Sequence, residues 1–134
     1  MPAPVINEIV RNHTGSDTNE FVEIYGDPST DYSNLWIIQI EGDSSNPGAI
    51  LSATQLGSTD ANGFYATDYT ANLFQNGTGT FVLVSDFTGS VGDDLDTDDD
   101  GTLDSTPWSG ILDSVAMSDG GAGDIVYSDV DLTA

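Results

Sequence analysis

The chain has 134 residues, which is enough for one compact domain with a hydrophobic core and too few for two. Asp and Glu total 23 against one basic residue, Arg11, and the formal net charge of −22 excludes electrostatic binding to nucleic acid and disfavours anionic membrane surfaces. The absence of cysteine excludes disulfides and zinc–thiolate sites, and no apolar stretch approaches the roughly 20 residues of a membrane span. We therefore expect a single domain, residues 1–134, with no direct nucleic-acid contact and no membrane insertion.

Short runs of β-branched and aromatic residues recur along the chain, whereas helix signals are nearly absent. Residues 5–10 and 20–25 are the first two predicted strands, and residues 35–40 are apolar on both faces, which indicates a central strand. The remaining predicted strands are residues 49–56, 63–67, 79–84, 111–117 and 125–127. About eight short strands without alternating helices predict an antiparallel β-sandwich or barrel.

One long insertion, at about residues 86–110, separates two of the predicted strands and has no apolar periodicity. Long loops inside compact domains are usually functional or disordered. Residues 93–104 of this insertion contain seven Asp in twelve positions. Without a bound cation, so many neighbouring carboxylates would repel one another and disorder the segment.

Residues 96–104, which we call the aspartate loop, match the pattern D-x-D-x-D-G-x-x-D of an EF-hand-type calcium loop. The residues that carry the pattern are Asp96, Asp98, Asp100, Gly101 and Asp104. Ca²⁺ takes six to eight oxygen ligands at about 2.3–2.6 Å, and Asp side chains two residues apart on a tightly curved loop can converge on one ion. Gly101 stands where the chain must turn sharply, and Thr102 would offer its backbone carbonyl.

The closing position of a full EF-hand loop, normally a bidentate Glu, falls on Pro107, so a helical EF-hand is not expected. Either the missing carboxylate comes from elsewhere, with Asp93, Asp94 and Asp113 as the candidates, or water fills the gap. A shifted frame that starts at Asp94 is the alternative, although it places Asp99 where glycine is wanted. The competing interpretation of the whole tract is a solvated acidic surface. Mg²⁺ is less suited than Ca²⁺ because it demands near-octahedral geometry and retains its waters.

The sequences VINEIV at residues 5–10 and GSDTNEFVEIY at residues 15–25 resemble the opening of the lamin tail domain of the bacterial extracellular type. That family opens with an I-x-E-I strand and continues with G-x-D-x-x-E-F-V-E-L/I-Y-N, where this chain has Gly26 instead of Asn. Weaker similarity follows at residues 35–36, 63–65, 79–83 and 112–115. The resemblance implies an immunoglobulin-like β-sandwich, and it carries over no catalytic residue.

By this resemblance the chain is similar to modules that are appended to larger secreted or surface proteins, among them extracellular nucleases and phosphatases. The resemblance therefore implies an extracellular or cell-surface location and a larger multidomain parent protein. Our leading hypothesis is a calcium-binding, non-catalytic module that serves adhesion, spacing or targeting, with a polysaccharide or a surface protein as its partner.

Two alternatives rest on particular side chains. A carbohydrate-binding module is suggested by Trp108, Tyr65 and Tyr69. A Trp in the position of Trp108, however, more often seals a metal loop against the sandwich. A metal-dependent hydrolase would need a His or Lys partner for acid–base work, and the chain has one His and no Lys. Glu20 and Glu23 are three positions apart on a strand, so they point to opposite faces and do not form an acid–base pair.

Overall fold

The structure, a computed structural model, describes residues 3–133 and consists of two β-sheets. The first sheet has three strands in the order β1-β2-β5, and the second has five in the order β4-β3-β6-β7-β8. The strands are β1 (Val5–Val10), β2 (Phe21–Tyr25), β3 (Leu35–Glu41), β4 (Ile50–Gln55), β5 (Phe64–Ala66), β6 (Gly79–Ser85), β7 (Gly110–Ser118) and β8 (Asp131–Thr133). The eight strands confirm the predicted all-β sandwich, and no helix occurs between residues 3 and 133.

Every neighbouring pair of strands is antiparallel except β7 and β8, which pair in parallel. The last predicted strand is wrong, because β8 lies at Asp131–Thr133 and not at residues 125–127. The N–H of Ile125 donates to the carbonyl of Gly42, and the N–H of Tyr127 donates to Thr80 Oγ1. Residues 125–127 are therefore tied across the sheet and do not form one of its strands.

The main hydrophobic core lies between the two sheets. Alternate residues of β2, β3 and β6 point into it, because successive side chains of a strand face opposite sides of the sheet. The buried members are Val22, Ile24, Leu35, Ile37, Leu56, Phe74, Phe81 and Leu83. Glu20, which is fully buried, borders this region and accepts a hydrogen bond from the Phe74 N–H over 3.0 Å, so it anchors the segment that follows β5.

A second hydrophobic cluster lies on the other face of the five-stranded sheet, formed by the alternate residues of β3, β4 and β6 and by one residue of the insertion. Its buried members are Ile38, Ile40, Ile50, Val82, Val84 and Leu95. Phe87, Leu103 and Trp108 of the insertion and Tyr127 pack against it. The connection between β6 and β7 thus covers this face, which explains why β3 is apolar on both sides.

No helix within the described residues is both long and apolar enough to cross a membrane.

Candidate metal site

The segment that leads into the aspartate loop is tied to the edge strand β4 by backbone hydrogen bonds. The N–H of Ile50 donates to the carbonyl of Asp93 over 2.9 Å, and the N–H of Gly92 donates to the carbonyl of Ile50 over 2.9 Å. The N–H of Leu95 donates to the carbonyl of Gly48 over 3.0 Å. Because the Leu95 side chain is only 1% exposed, packing and hydrogen bonding together fix the start of the loop.

Gly48 permits this close approach. Its φ is +90°, and a Cβ at this position would lie 2.8 Å from both the backbone nitrogen and the Cβ of Asp96. Any other residue would be strained there and would displace Asp96. The position of the Asp96 carboxylate therefore depends on a glycine that lies 48 positions earlier in the chain.

Asp96 is the centre of the site. Its side chain is fully buried and accepts hydrogen bonds from the Tyr127 hydroxyl over 2.7 Å and from the Gly101 N–H over 3.0 Å, both at Oδ2. Its Oδ1 accepts a hydrogen bond from the Asp100 N–H over 3.2 Å. Gly101 has a φ of +86°, which confirms that the turn predicted at this position requires the left-handed region.

Three carboxylates of the predicted pattern come together. One oxygen each of Asp96, Asp98 and Asp104 lies within 4.8 Å of the others. Asp104 Oδ2 accepts hydrogen bonds from the Thr97 N–H and hydroxyl over 2.9 and 2.7 Å. The Asp104 N–H donates to the Leu95 carbonyl over 2.7 Å, so the loop is closed at its base by the same residue that anchors it in the cluster.

Other predicted ligands have local structural roles. Asp100 Oδ1 accepts a hydrogen bond from the Thr102 N–H over 2.8 Å, and the Thr102 side chain is exposed. Asp94 Oδ1 accepts one from the Asp96 N–H over 3.1 Å, and Asp93 Oδ2 accepts one from the Ser90 N–H over 2.8 Å. These carboxylates shape the turns around the site, and the three-carboxylate group does not include them.

Asp113 is not brought to the loop. It is paired with Leu83, whose side chain lies in the core between the sheets, and its Oδ2 accepts a hydrogen bond from the Ile6 N–H over 2.8 Å. The neighbouring residue, Ser114, faces the side that the insertion covers and lines a pocket with Gly101. The expectation that Asp113 supplies the closing carboxylate is therefore corrected by the alternation of side chains along β7.

The three carboxylates differ in their electrostatic surroundings. The charge of Asp100, followed by burial and by the charge of Asp104, raises the pKa of Asp98 above its usual value. Burial is the largest influence on Asp96 and acts to raise its pKa, but hydrogen bonds from Tyr127 and two backbone N–H groups outweigh it and lower the pKa. Burial and the hydrogen bond to Asp96 raise the pKa of Tyr127. Asp96 is thus held as an anion, whereas the charge on Asp98 is opposed by its neighbours.

Trp108 packs against the second hydrophobic cluster and is partly buried. This placement agrees with the interpretation that the ring seals the insertion against the sandwich.

A second group of acidic residues was not predicted from the sequence. One carboxylate oxygen each of Asp43, Asp119 and Asp124 lies within 4.8 Å of the others. The Thr78 hydroxyl donates to Asp124 Oδ2 over 2.6 Å, and the Thr78 N–H donates to Asp43 Oδ1 over 3.0 Å. Asp119 and Asp124 end one glycine-rich run, but Asp43 comes from a distant segment, so no spacing motif in the sequence indicates the whole group.

The donor set at the aspartate loop consists of oxygen atoms. Hard cations such as Ca²⁺ and Mg²⁺ prefer oxygen ligands, and Zn²⁺ and copper sites are more often built with His or Cys. Three converging carboxylates fit part of a Ca²⁺ coordination shell of six to eight oxygens, which leaves positions for backbone carbonyls and water.

Comparison with known proteins gives no independent guide to the function. No protein-family model matches the chain, and neither a curated protein nor a solved structure matches it. The geometry of the aspartate loop is therefore the main indication of function.

Proposed function

We propose that the aspartate loop binds Ca²⁺ and that the domain is a calcium-stabilised, non-catalytic module of a secreted or cell-surface protein. The convergence of Asp96, Asp98 and Asp104 carries this proposal. Asp96 would be the fixed ligand, because hydrogen bonds orient both of its oxygens. Asp98 and Asp104 are exposed and would complete the carboxylate set from the solvent side.

The structural context supports a stabilising role for the ion. Leu95 lies next to the first ligand and is buried in the second cluster, and Leu103 lies next to the last ligand and packs against that cluster. An ion that joins Asp96 to Asp104 would therefore hold both leucines in place. Binding in the folded state alone adds stability by mass action, so the insertion would be secured over the sheet when Ca²⁺ is present.

The choice of Ca²⁺ over Mg²⁺ follows from the way the carboxylates are held. Asp98 and Asp104 are exposed and come from a loop, whereas Mg²⁺ requires near-ideal octahedral geometry at about 2.0–2.1 Å and gives up its waters reluctantly. An exposed, carboxylate-rich loop suits the more variable coordination shell of Ca²⁺.

The non-catalytic role is supported by the surroundings of the one His. His13 Nε2 accepts hydrogen bonds from the N–H groups of Thr18 and Asn19 over 3.1 and 3.3 Å, so it is engaged in its own loop. The chain contains no Lys and no Cys to act as a nucleophile or base beside the loop. Together with the resemblance to lamin tail domains, this favours adhesion, spacing or targeting within a larger protein.

Melting and calorimetric titration test the proposal. After chelation of divalent ions, addition of Ca²⁺ should release or absorb heat with saturation. At a free Ca²⁺ concentration of 100 times Kd, the free energy of unfolding should rise by about 2.7 kcal/mol. Mg²⁺ at the same concentration should give a smaller rise. If adding Ca²⁺ to the chelated protein gives neither a binding heat nor a change in melting temperature, the proposed function is excluded.

A further inference from the structure

The outer face of the three-stranded sheet carries a row of aromatic residues that belong neither to the main hydrophobic core nor to the second hydrophobic cluster. Val22 and Ile24 are fully buried, so the alternate residues of β2, Phe21, Glu23 and Tyr25, point outward. Tyr25 pairs with Phe64 of β5, and their ring centroids are 5.0 Å apart. The aspartate loop lies over the opposite sheet, so this face is separate from the proposed metal site.

A groove of about 330 Å³ runs across this face. Phe21 and Tyr69 form part of its wall, with ring centroids 5.5 Å apart and an interplanar angle of 68°. Tyr69 is 71% exposed even though its ring contacts Phe21, so most of its side chain is open to solvent. The groove, which we call the aromatic groove, is lined by Phe21, Tyr69, Glu8, Glu23, Ala66 and Asp68, among others.

Within residues 3–133, no basic side chain pairs with the carboxylates of the aromatic groove. Glu8 and Glu23 are directly opposite each other in the β1–β2 pair, and like charges in such a pair are destabilising. The single basic residue, Arg11, donates to the carbonyls of Asn76 and Gly77 instead. An external cation would relieve this repulsion.

We propose that the aromatic groove binds an arginine side chain presented by a protein partner. A guanidinium group stacks on aromatic rings and offers five N–H donors in a planar fork, which matches a groove that combines rings with carboxylates. Asn7 donates to Glu23 Oε1 over 2.6 Å, so this carboxylate is already oriented on the sheet.

A sugar is the less suitable occupant. Phe21 and Tyr69 meet edge to face, and Tyr25 and Phe64 are tilted by 43°. Neither pair therefore forms a continuous flat platform for an extended glycan, whereas a guanidinium group needs the face of only one ring. The uncompensated charge of Glu8 and Glu23 also favours a cationic group over a neutral one.

Nuclear magnetic resonance titration of the labelled protein, carried out both with Ca²⁺ and with chelator, tests this inference. The probe is the peptide acetyl-Gly-Arg-Gly-Arg-Gly-amide, and the matched control replaces each arginine with uncharged citrulline. The arginine peptide should shift the backbone amides of Phe21, Glu23 and Tyr69 at physiological salt, and the citrulline peptide should not. Because the readout is confined to the aromatic groove, it is independent of whether the aspartate loop binds Ca²⁺.

Three variants decide whether the binding is specific. Tyr69→Ala and Glu23→Gln should each weaken the arginine peptide by about 2- to 30-fold, the range expected for loss of a cation–π contact or its charged neighbour. Asp86→Asn removes the same charge from an exposed position on the insertion and should leave the affinity unchanged. Shifts that spread over the whole acidic surface, or that persist in both groove variants, would overturn the inference. Tighter binding of an uncharged glucose oligomer than of the peptide in the aromatic groove would also overturn it.

Discussion

Replacing Leu95 with alanine should lower the free energy of unfolding by about 2–5 kcal/mol, the usual cost of a large-to-small change in a packed core. The side chain is 1% exposed and belongs to the cluster that also contains Ile50 and Val84. The same substitution should weaken Ca²⁺ binding, although the Leu95 side chain has no ligand atom. The backbone of Leu95 bonds to Gly48 on one side and to Asp104 on the other, so a loosened Leu95 releases both ends of the aspartate loop.

Urea denaturation in chelator and calorimetric Ca²⁺ titration measure the two effects of Leu95→Ala. Val91→Ala is the matched control, because Val91 lies in the same insertion and is 62% exposed. A surface substitution of this kind should change the free energy of unfolding by no more than about 0.5 kcal/mol. If Leu95→Ala and Val91→Ala behave alike, the insertion does not depend on the second hydrophobic cluster.

Asp98→Asn should have opposite effects on the two states of the protein. It should raise the stability of the chelated protein at neutral pH, because the charge on Asp98 is opposed by Asp100, Asp104 and Asp96. It should also reduce Ca²⁺ affinity by at least about tenfold, since even partners outside the ligand shell of a metal cost about 10- to 100-fold. Denaturation in chelator measures the change in stability, and calorimetric titration with Ca²⁺ measures the change in affinity.

The pH dependence of the same variant follows from the raised pKa of Asp98. A carboxyl group with a higher pKa in the folded state contributes stability at low pH, and this contribution is lost as the pH rises through the folded pKa. The advantage of Asp98→Asn in chelator should therefore be present at pH 7 and shrink as the pH falls towards about 4, where an ordinary Asp becomes protonated. Asp86→Asn, which changes an exposed Asp elsewhere in the insertion, serves as the control. An Asp98→Asn protein that is less stable in chelator at pH 7 would contradict the repulsion argument.

The parts of the fold that depend on local pattern were predictable from the sequence. The run at residues 35–40 is apolar on both faces, and β3 is indeed central between β4 and β6. The sequence did not indicate what covers its outer face, because Phe87, Leu95 and Leu103 are scattered among polar residues of the insertion. The apolar run at residues 125–127 also does not form the predicted strand, and Tyr127 packs against this second cluster instead.

The candidate site was likewise predictable from the sequence only in part. The spacing of Asp96, Asp98 and Asp104 predicted their convergence, because all three belong to one short loop. The hydroxyl of Tyr127 and the close approach of Gly48 were not predictable, since both reach Asp96 from other parts of the chain. Asp113 failed as a candidate because nearness in sequence does not determine on which face of β7 a side chain lies.

Terbium luminescence tests the calcium site most directly, because Tb³⁺ accepts oxygen ligands as Ca²⁺ does and emits when a nearby aromatic ring is excited. The Tyr127 hydroxyl contacts Asp96, so an ion held by Asp96 would lie close to that ring. Excitation of the aromatic residues should give Tb³⁺ emission that excess Ca²⁺ displaces. The emission should be lost in a double variant Asp98→Asn, Asp104→Asn and retained in a double variant Asp43→Asn, Asp124→Asn. Emission that survives the first double variant and disappears in the second would place the ion at the other acidic group and contradict a calcium site at the aspartate loop.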